Sequence, residues 1–380
     1  MSKSYVKKMF PGAITSKGFF SYYDNIIQQD CRHIFVIKGG PGVGKSTFMK
    51  KIAESMLEKG YNLEYHCCSS DNNSIDGIAI PEEGIALLDG TTPHIVDPKN
   101  PGAVDEIINL GEYWNEEKIT NSKGNIIETN HQIGRYFQAA YFALSEANNA
   151  LDEWEFYIKE YQDWTYINQL FLKVEKEIFK VIPKGNGKDR HLFAWAHTPQ
   201  GKTQFIDTLI NGINKLYTLS GQPGSGKSSF LKRVAERAII LGLDVEYYHN
   251  TLNPSQLDLI VIPGIETALV ITSEPYTYVP KFDGKIITLD FDYSLDNSEL
   301  KKIESDINDC RQRVNQHIER ALKNSLRAKQ MHDLLESYYI PAMNFTAIEK
   351  ERSNILQRIY DMIEKEKVIA VSKQGPKNEC

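Results

Sequence analysis

The sequence is poor in cysteine, in long apolar runs and in excess charge of either sign, and each shortage excludes a class of protein. Five cysteines in 380 residues, an odd number without metal-ligand spacing, argue against a disulfide framework and against zinc, and fit a reducing cytoplasm. Cys67 and Cys68 are adjacent and are expected at a buried strand end. No apolar run is long enough to cross a bilayer. The polar stretch Met1–Lys8 lacks the apolar core of an export signal. Lys and Arg number 44 against 50 Asp and Glu, a net charge of −6, which leaves no general electrostatic footprint for nucleic acid. The expectation is a cytoplasmic globular protein with more than one core and with no membrane or nucleic-acid partner.

Against this background stand two copies of one motif, G-x-x-x-x-G-K-[ST]. The first comprises Gly39, Gly40, Pro41, Gly42, Val43, Gly44, Lys45 and Ser46, followed by Thr47; the second comprises Gly221, Gln222, Pro223, Gly224, Ser225, Gly226, Lys227 and Ser228, followed by Ser229. Each follows a short apolar run, Ile34–Ile37 or Leu216–Leu219, of the kind that makes a buried strand. Each precedes a helical pattern, with Phe48, Met49, Ile52, Ala53 and Met56, or Phe230, Leu231, Val234, Ala235 and Ala238, on one apolar face. Gly60 and Gly242 are expected to end these helices.

Strand, glycine loop and helix N-terminus together aim backbone N–H groups and a helix dipole at one small volume, which suits phosphate. In such a loop Lys45 and Lys227 reach the β- and γ-phosphates, and the Ser46 and Ser228 hydroxyls ligate Mg²⁺. The expected cofactors are therefore ATP and Mg²⁺. Leu219–Gln222 looks like part of a transporter-ATPase signature, but it overlaps the loop itself and is read as coincidence.

The motif is part of a longer repeat. A shift of 182 residues aligns Ile34–Gly102 with Leu216–Gly284 without a gap, about a third of the pairs being identical. The matches include Lys50 with Lys232, Glu64 with Glu246, Asp76 with Asp258 and Pro81 with Pro263; upstream, Phe10 to Gly18 echoes Phe193 to Gly201. The expected fold is α/β, a duplicated P-loop core of parallel sheet flanked by helices, each copy followed by a helical hairpin. The two domains are placed at 1–183 and 184–380, divided within the Pro/Gly-rich stretch Ile182–Asp189. The helical parts are expected at about 132–181 and 297–366. A seam of Leu300, Ile303, Ile307, Cys310, Val314 and Ala321 has coiled-coil spacing, and Pro341 is expected to turn that run back on itself. Tyr136, Phe137, Tyr141, Leu144, Leu151, Trp154, Ile158 and Tyr161 form the bulkier counterpart, read as core in preference to a nucleic-acid stacking surface. The chain from about Val371 is expected to be disordered.

Phosphoryl chemistry needs a second carboxylate. Ile85–Asp89, an apolar run ending in an acid, makes Asp89 the candidate Mg²⁺ ligand and catalytic acid of the first half, beside Lys45. The second half has Ile271 there, with Glu274 as the nearest carboxylate, so that Lys227 has no matching acid. Asp76 and Asp258 occur in both copies, and are either a metal-orienting pair or structural turn residues, the latter being preferred. His66 is read as structural before functional, and Asp71 lies near the same strand end. Arg32, Arg135 and Arg190 are the candidate cations for a γ-phosphate, none supported by a motif.

Lys38–Thr47, Ile75–Pro81, Asp89–Pro98, Pro101–Gly111, Arg190–Ala194 and the second loop together resemble a bacterial family of tandem P-loop proteins described as ATPases or as nucleotide-kinase-like. The resemblance covers nearly the whole chain. It implies ATP binding at both loops and names no substrate. The leading expectation is Mg²⁺-dependent ATP hydrolysis with the first site catalytic. The alternatives are a nucleotide or small-molecule kinase, without the arginine-rich lid of nucleotide kinases, and a nucleotide-gated module whose helical hairpins meet a protein partner. The two halves are expected to pack on each other.

Overall fold

Two six-stranded sheets with the same strand order organise the chain in the computed structural model, which describes residues 4–26, 31–92, 95–180 and 185–373. The first half runs β1 (Val6–Met9), β2 (Gly12–Thr15), β3 (Gly18–Ser21), β4 (His33–Lys38), α1 (Lys45–Glu58), β5 (Leu63–Cys67), β6 (Ile75–Ile80), β7 (Ile85–Asp89), β8 (Asp105–Asn109), α2 (Glu116–Thr120), α3 (Lys123–Lys159) and α4 (Trp164–Ile178). The second half repeats this as β9 (Asp189–Leu192), β10 (Trp195–Thr198), β11 (Gly201–Gln204), α5 (Ile206–Leu209), β12 (Lys215–Ser220), α6 (Lys227–Ile240), β13 (Val245–His249), β14 (Leu257–Ile262), β15 (Thr267–Ile271), β16 (Lys285–Asp290), α7 (Asn297–Leu300), α8 (Glu304–Tyr339) and α9 (Phe345–Lys373). Part of the expected boundary stretch, 181–184, lies outside the described residues, as does the tail beyond 373.

The sheets are ordered β1-β5-β6-β7-β4-β8 and β9-β13-β14-β15-β12-β16. Both are mixed, which corrects the expected parallel sheet: β6 and β14 run antiparallel to their neighbours while the other pairings are parallel. The physical reason is the short connections, since a few residues on each side of β6 can join only antiparallel neighbours. All six residues of β6 and of β14 are buried, as central strands covered on both faces require.

The helical hairpin expected in each half is also corrected. α3 packs along α8, its repeat counterpart, through an alanine-rich face of Ala140, Ala143, Ala147 and Ala150 set against Cys310, Val314, Ile318 and Ala321. Small side chains let two helices approach closely along their length. α4 then crosses to the second sheet, where Ile167, Val174 and Ile178 join the core of Phe230, Leu231 and Val234. Reciprocally, α9 crosses to the first sheet, where Ile348, Ile355, Ile359 and Ile363 join Phe48, Met49 and Ile52. Pro341 does break the helix, in the turn Ile340–Ala342, but α9 then packs on the other half. The reason is hydrophobic: α9 repeats isoleucine at 348, 355, 359 and 363, a stripe matching the uncovered face of α1 rather than the α8 seam.

Candidate functional site

The two glycine loops close alike. Each lies between the C-terminal end of its strand (β4 or β12) and the N-terminus of its helix (α1 or α6). Lys45 Nζ donates to the carbonyls of Gly39 (3.0 Å) and Gly40 (2.9 Å). Lys227 Nζ donates to those of Gly221 and Gln222, both at 2.6 Å. Each ammonium is thus drawn across the mouth of its own loop. Val43 and Ser225 point inward and are buried, whereas Thr47 and Ser229 are not. Gly42 has φ +70° and Gly224 +85°, a conformation in which a side chain is strained.

Behind each loop the serine hydroxyl is fixed by the antiparallel strand. Ser46 Oγ accepts from the Ile75 N–H (3.0 Å), and Ser228 Oγ from the Leu257 N–H (2.9 Å). The next residue in each strand is Asp76 or Asp258. The residue pattern favours turn residues here, whereas both lie in buried strands next to the residue that holds the serine. Asp258 accepts from Asn250 Nδ2 through Oδ1 (2.9 Å), while its buried Oδ2 has no hydrogen-bond partner. Burial pushes its carboxyl up to about 7, against the opposing pull of Lys227. Burial likewise lowers Lys227 to about 8, partly offset by Asp292, Glu155 and Asp258.

Asp89 ends β7, opposite Ile37 of β4, with Oδ2 3.6 Å from Lys45 Nζ. Its Oδ1 accepts from the Thr91 N–H at 2.9 Å. Ile271 occupies the same register position opposite Leu219, so the asymmetry in acids is real in space. Glu274 pairs with Arg311 at 2.9 Å. Asp292, which sequence reasoning missed, accepts from the Gln222 N–H at 2.8 Å.

Two of the three candidate cations, Arg190 and Arg32, are engaged elsewhere. Arg190 is buried and grips Glu64 bidentately at 2.8 and 2.6 Å, with further bonds to the Asn25 and Ile26 carbonyls. Arg32 binds Glu83 at the far end of β4 from the loop. Arg135 is on α3, away from both loops in sequence and exposed. His66 is buried 3.7 Å from Glu64, where burial lowers its pKa, and Asp71 pairs with Lys329 of α8.

Each loop is roofed by the other half. The end of α8 lies over the first loop: a Cβ at Gly40 would stand 3.1 Å from the Tyr339 ring, and one at Gly42 3.2 Å from the Glu336 backbone. Over the second loop a Cβ at Gly224 would stand 2.6 Å from the Glu155 carbonyl oxygen, and Gln162 Nε2 donates to the Ser225 carbonyl. Glu155 and Glu336 are repeat counterparts 181 residues apart. Two bridges complete the roof in the same symmetric way, Gln162 with Leu295 and Trp114 with Met343.

A cavity of about 310 Å³ opens at the second loop, lined by Lys227, Ser228, Asp258 and Glu274 from one half and by Glu155, Lys159 and Trp164 from the other. Lys159, held on Glu155 at 2.8 Å, is a cation brought to the second loop by the first half. The alignment of α3 with α8 was the signal for these residues, once each helix is assigned to the opposite loop.

No helix among the described residues is long and apolar enough to cross a membrane. Residues 20–79, which span β4, the first loop, α1 and β5, match the family model described as Nephrocystin 3, N-terminal. No curated protein and no solved structure gives a match.

Proposed function

We propose that the chain binds ATP with Mg²⁺ at both loops and hydrolyses it, each site being completed by the helix corner of the opposite half. The observation that carries this reading is the repeated lysine geometry. Lys45, bound to two carbonyls of its own loop, keeps a donor for a phosphate oxygen, and at Lys227 a phosphate oxygen would take the place of the longer contact to Ser225 Oγ at 3.3 Å, in each case beside N–H groups at a helix N-terminus.

The residues present fit a magnesium ion. Ser228 and Asp258 would hold it in the second half, where a buried carboxylate oxygen lacks a protein partner. Ser46 would hold it in the first half, with Asp89 or Asp76. When bound, Mg²⁺ would neutralise charge on the β- and γ-phosphates. Lys45 and Lys227 would orient the phosphate chain, and the roof from α3 or α8 would exclude water from the loop mouth. The Gly224–Glu155 approach is so close that movement at the loop must be felt by α3. The two sites would thereby be coupled through the α3–α8 pair.

Phosphate release by wild type, Lys45→Ala and Lys227→Ala tests this reading. Loss of turnover in either variant supports it; unchanged turnover in both contradicts it. One observation favours a second reading, a small-molecule kinase. A further cavity of about 420 Å³, with Lys202, Gln204, Asp207 and Lys281, shares Trp195, Pro275 and Tyr276 with the first, and would place an acceptor beside the second loop. Incubation with γ-labelled ATP and a panel of nucleotide acceptors separates the two, because label found only as inorganic phosphate excludes transfer to them. The trans roof also suits a nucleotide-gated module, for which bound ATP without turnover would be the sign.

A further inference from the structure

Two half-exposed aromatic rings stand at equivalent places beside the loops. Trp164 is the first residue of α4 and Phe345 the first of α9, 181 residues apart. Trp164 is 48% exposed and Phe345 45%. Three residues on, Ile167 and Ile348 are buried in the opposite half's core, so the helices' apolar faces are satisfied without the rings. Their first turns are fixed by side-chain caps: Asp163 Oδ1 accepts from the Thr165 N–H (2.8 Å) and Asn344 Oδ1 from the Ala347 N–H (3.1 Å). Trp164 lines the cavity that holds Lys227, Ser228 and Ser229. A Cβ on Gly44 would stand 3.6 Å from Phe345 Cε1, ordinary contact distance, which places that ring against the first loop just before Lys45.

A large ring kept half in water at the mouth of a phosphate-shaped loop has a flat apolar face to offer, and a nucleotide's base has one that needs covering. Resting on the proposal that the loops bind nucleotide, we infer that each base stacks on a ring donated by the opposite half. Trp164 receives the base at the second loop and Phe345 the base at the first. Each nucleotide thus bridges the halves, with its phosphates on one and its base on the other. Stacking tolerates any base, so the sites discriminate weakly between purine nucleotides and strongly between a nucleotide and a bare polyphosphate.

The test uses the full chain with Mg²⁺, titrated separately with ATP and with inorganic tripolyphosphate. Trp164→Ala and Trp164→Phe are made with Lys45→Ala, which leaves the second loop to be read; Phe345→Ala is made with Lys227→Ala. A thermal melt accompanies each variant. Stacking of this kind is worth roughly a 5- to 100-fold change in affinity. The expected result is a loss of about that size for ATP in the alanine variants, an unchanged affinity for tripolyphosphate, and substantial recovery of ATP binding in Trp164→Phe. Equal affinity of folded alanine variants and their parents for ATP, or equal losses for both ligands, overturns the stacking role while leaving loop binding intact. Wild-type protein that binds neither ligand overturns both.

Discussion

The Phe10 N–H donates to the Phe193 carbonyl at 2.9 Å, and the Phe193 N–H donates back to the Phe10 carbonyl at 3.0 Å. The two residues are repeat counterparts, so the chain pairs with itself across a pseudo-twofold axis. The same relation governs α3 with α8, and it makes each half a structural subunit of the other. Substitutions at the shared elements should therefore be felt in both halves.

The nearby Glu64–Arg190 pair joins β5 of one half to β9 of the other, with both residues almost fully buried. Arg190→Ala strands a buried carboxylate and is expected to cost about 3–5 kcal/mol. The apolar double variant Glu64→Leu/Arg190→Met is expected to lie much closer to wild type. Urea denaturation decides, and equal stability of Arg190→Ala and wild type would refute the assignment.

Burial depresses His197 and His249 to about 4 from an ordinary 6.5. Between those values the unfolded chain binds more protons than the folded one, so stability falls as pH drops from about 6.5 to 4. For fully buried His197 the whole window is worth roughly 3 kcal/mol. Melting temperatures taken between pH 7 and 4 should fall, with a shallower slope in His197→Gln; the same slope in that variant would remove the histidine from the account.

Ile359 belongs to α9 in sequence and to the first core in space. Ile359→Ala is expected to cost about 2–5 kcal/mol and to raise amide exchange in β4, β5 and α1. Faster exchange confined to the second sheet would argue against the swap of helices between halves.

Asp258→Asn removes the carboxylate oxygen that would face Mg²⁺ beside Ser228 while preserving shape. It is expected to raise the Mg²⁺ concentration needed for turnover at the second site at least about tenfold, the loss typical of a disrupted metal shell, while metal-free ATP binding survives. Asp89→Asn should do the same at the first site. Magnesium titrations of each variant, made with the opposite loop lysine removed, check both.

Much of this architecture was legible in the residues. The loops, their strands and helices, and the Asp89–Ile271 asymmetry arise from local pattern, because a strand–loop–helix unit is specified by adjacent residues. The swap of α4 and α9 between halves was not legible. The spacing of Ile307, Cys310 and Val314 says that α8 has a partner, and nothing in a period says which helix that is. The buried positions of Asp76 and Asp258 were likewise hidden, since an antiparallel strand inside an otherwise parallel sheet is set by connection length and pairing. The two-copy recurrence of those aspartates was the available clue.

Both loops are proposed to hold ATP, each keeping its own nucleotide when the other loop's lysine is removed. Equilibrium dialysis of the full chain with ATP and Mg²⁺ tests it most directly. Two nucleotides per wild-type chain are expected, and one each for Lys45→Ala and Lys227→Ala. Identical binding by all three proteins, or none by wild type, would contradict it.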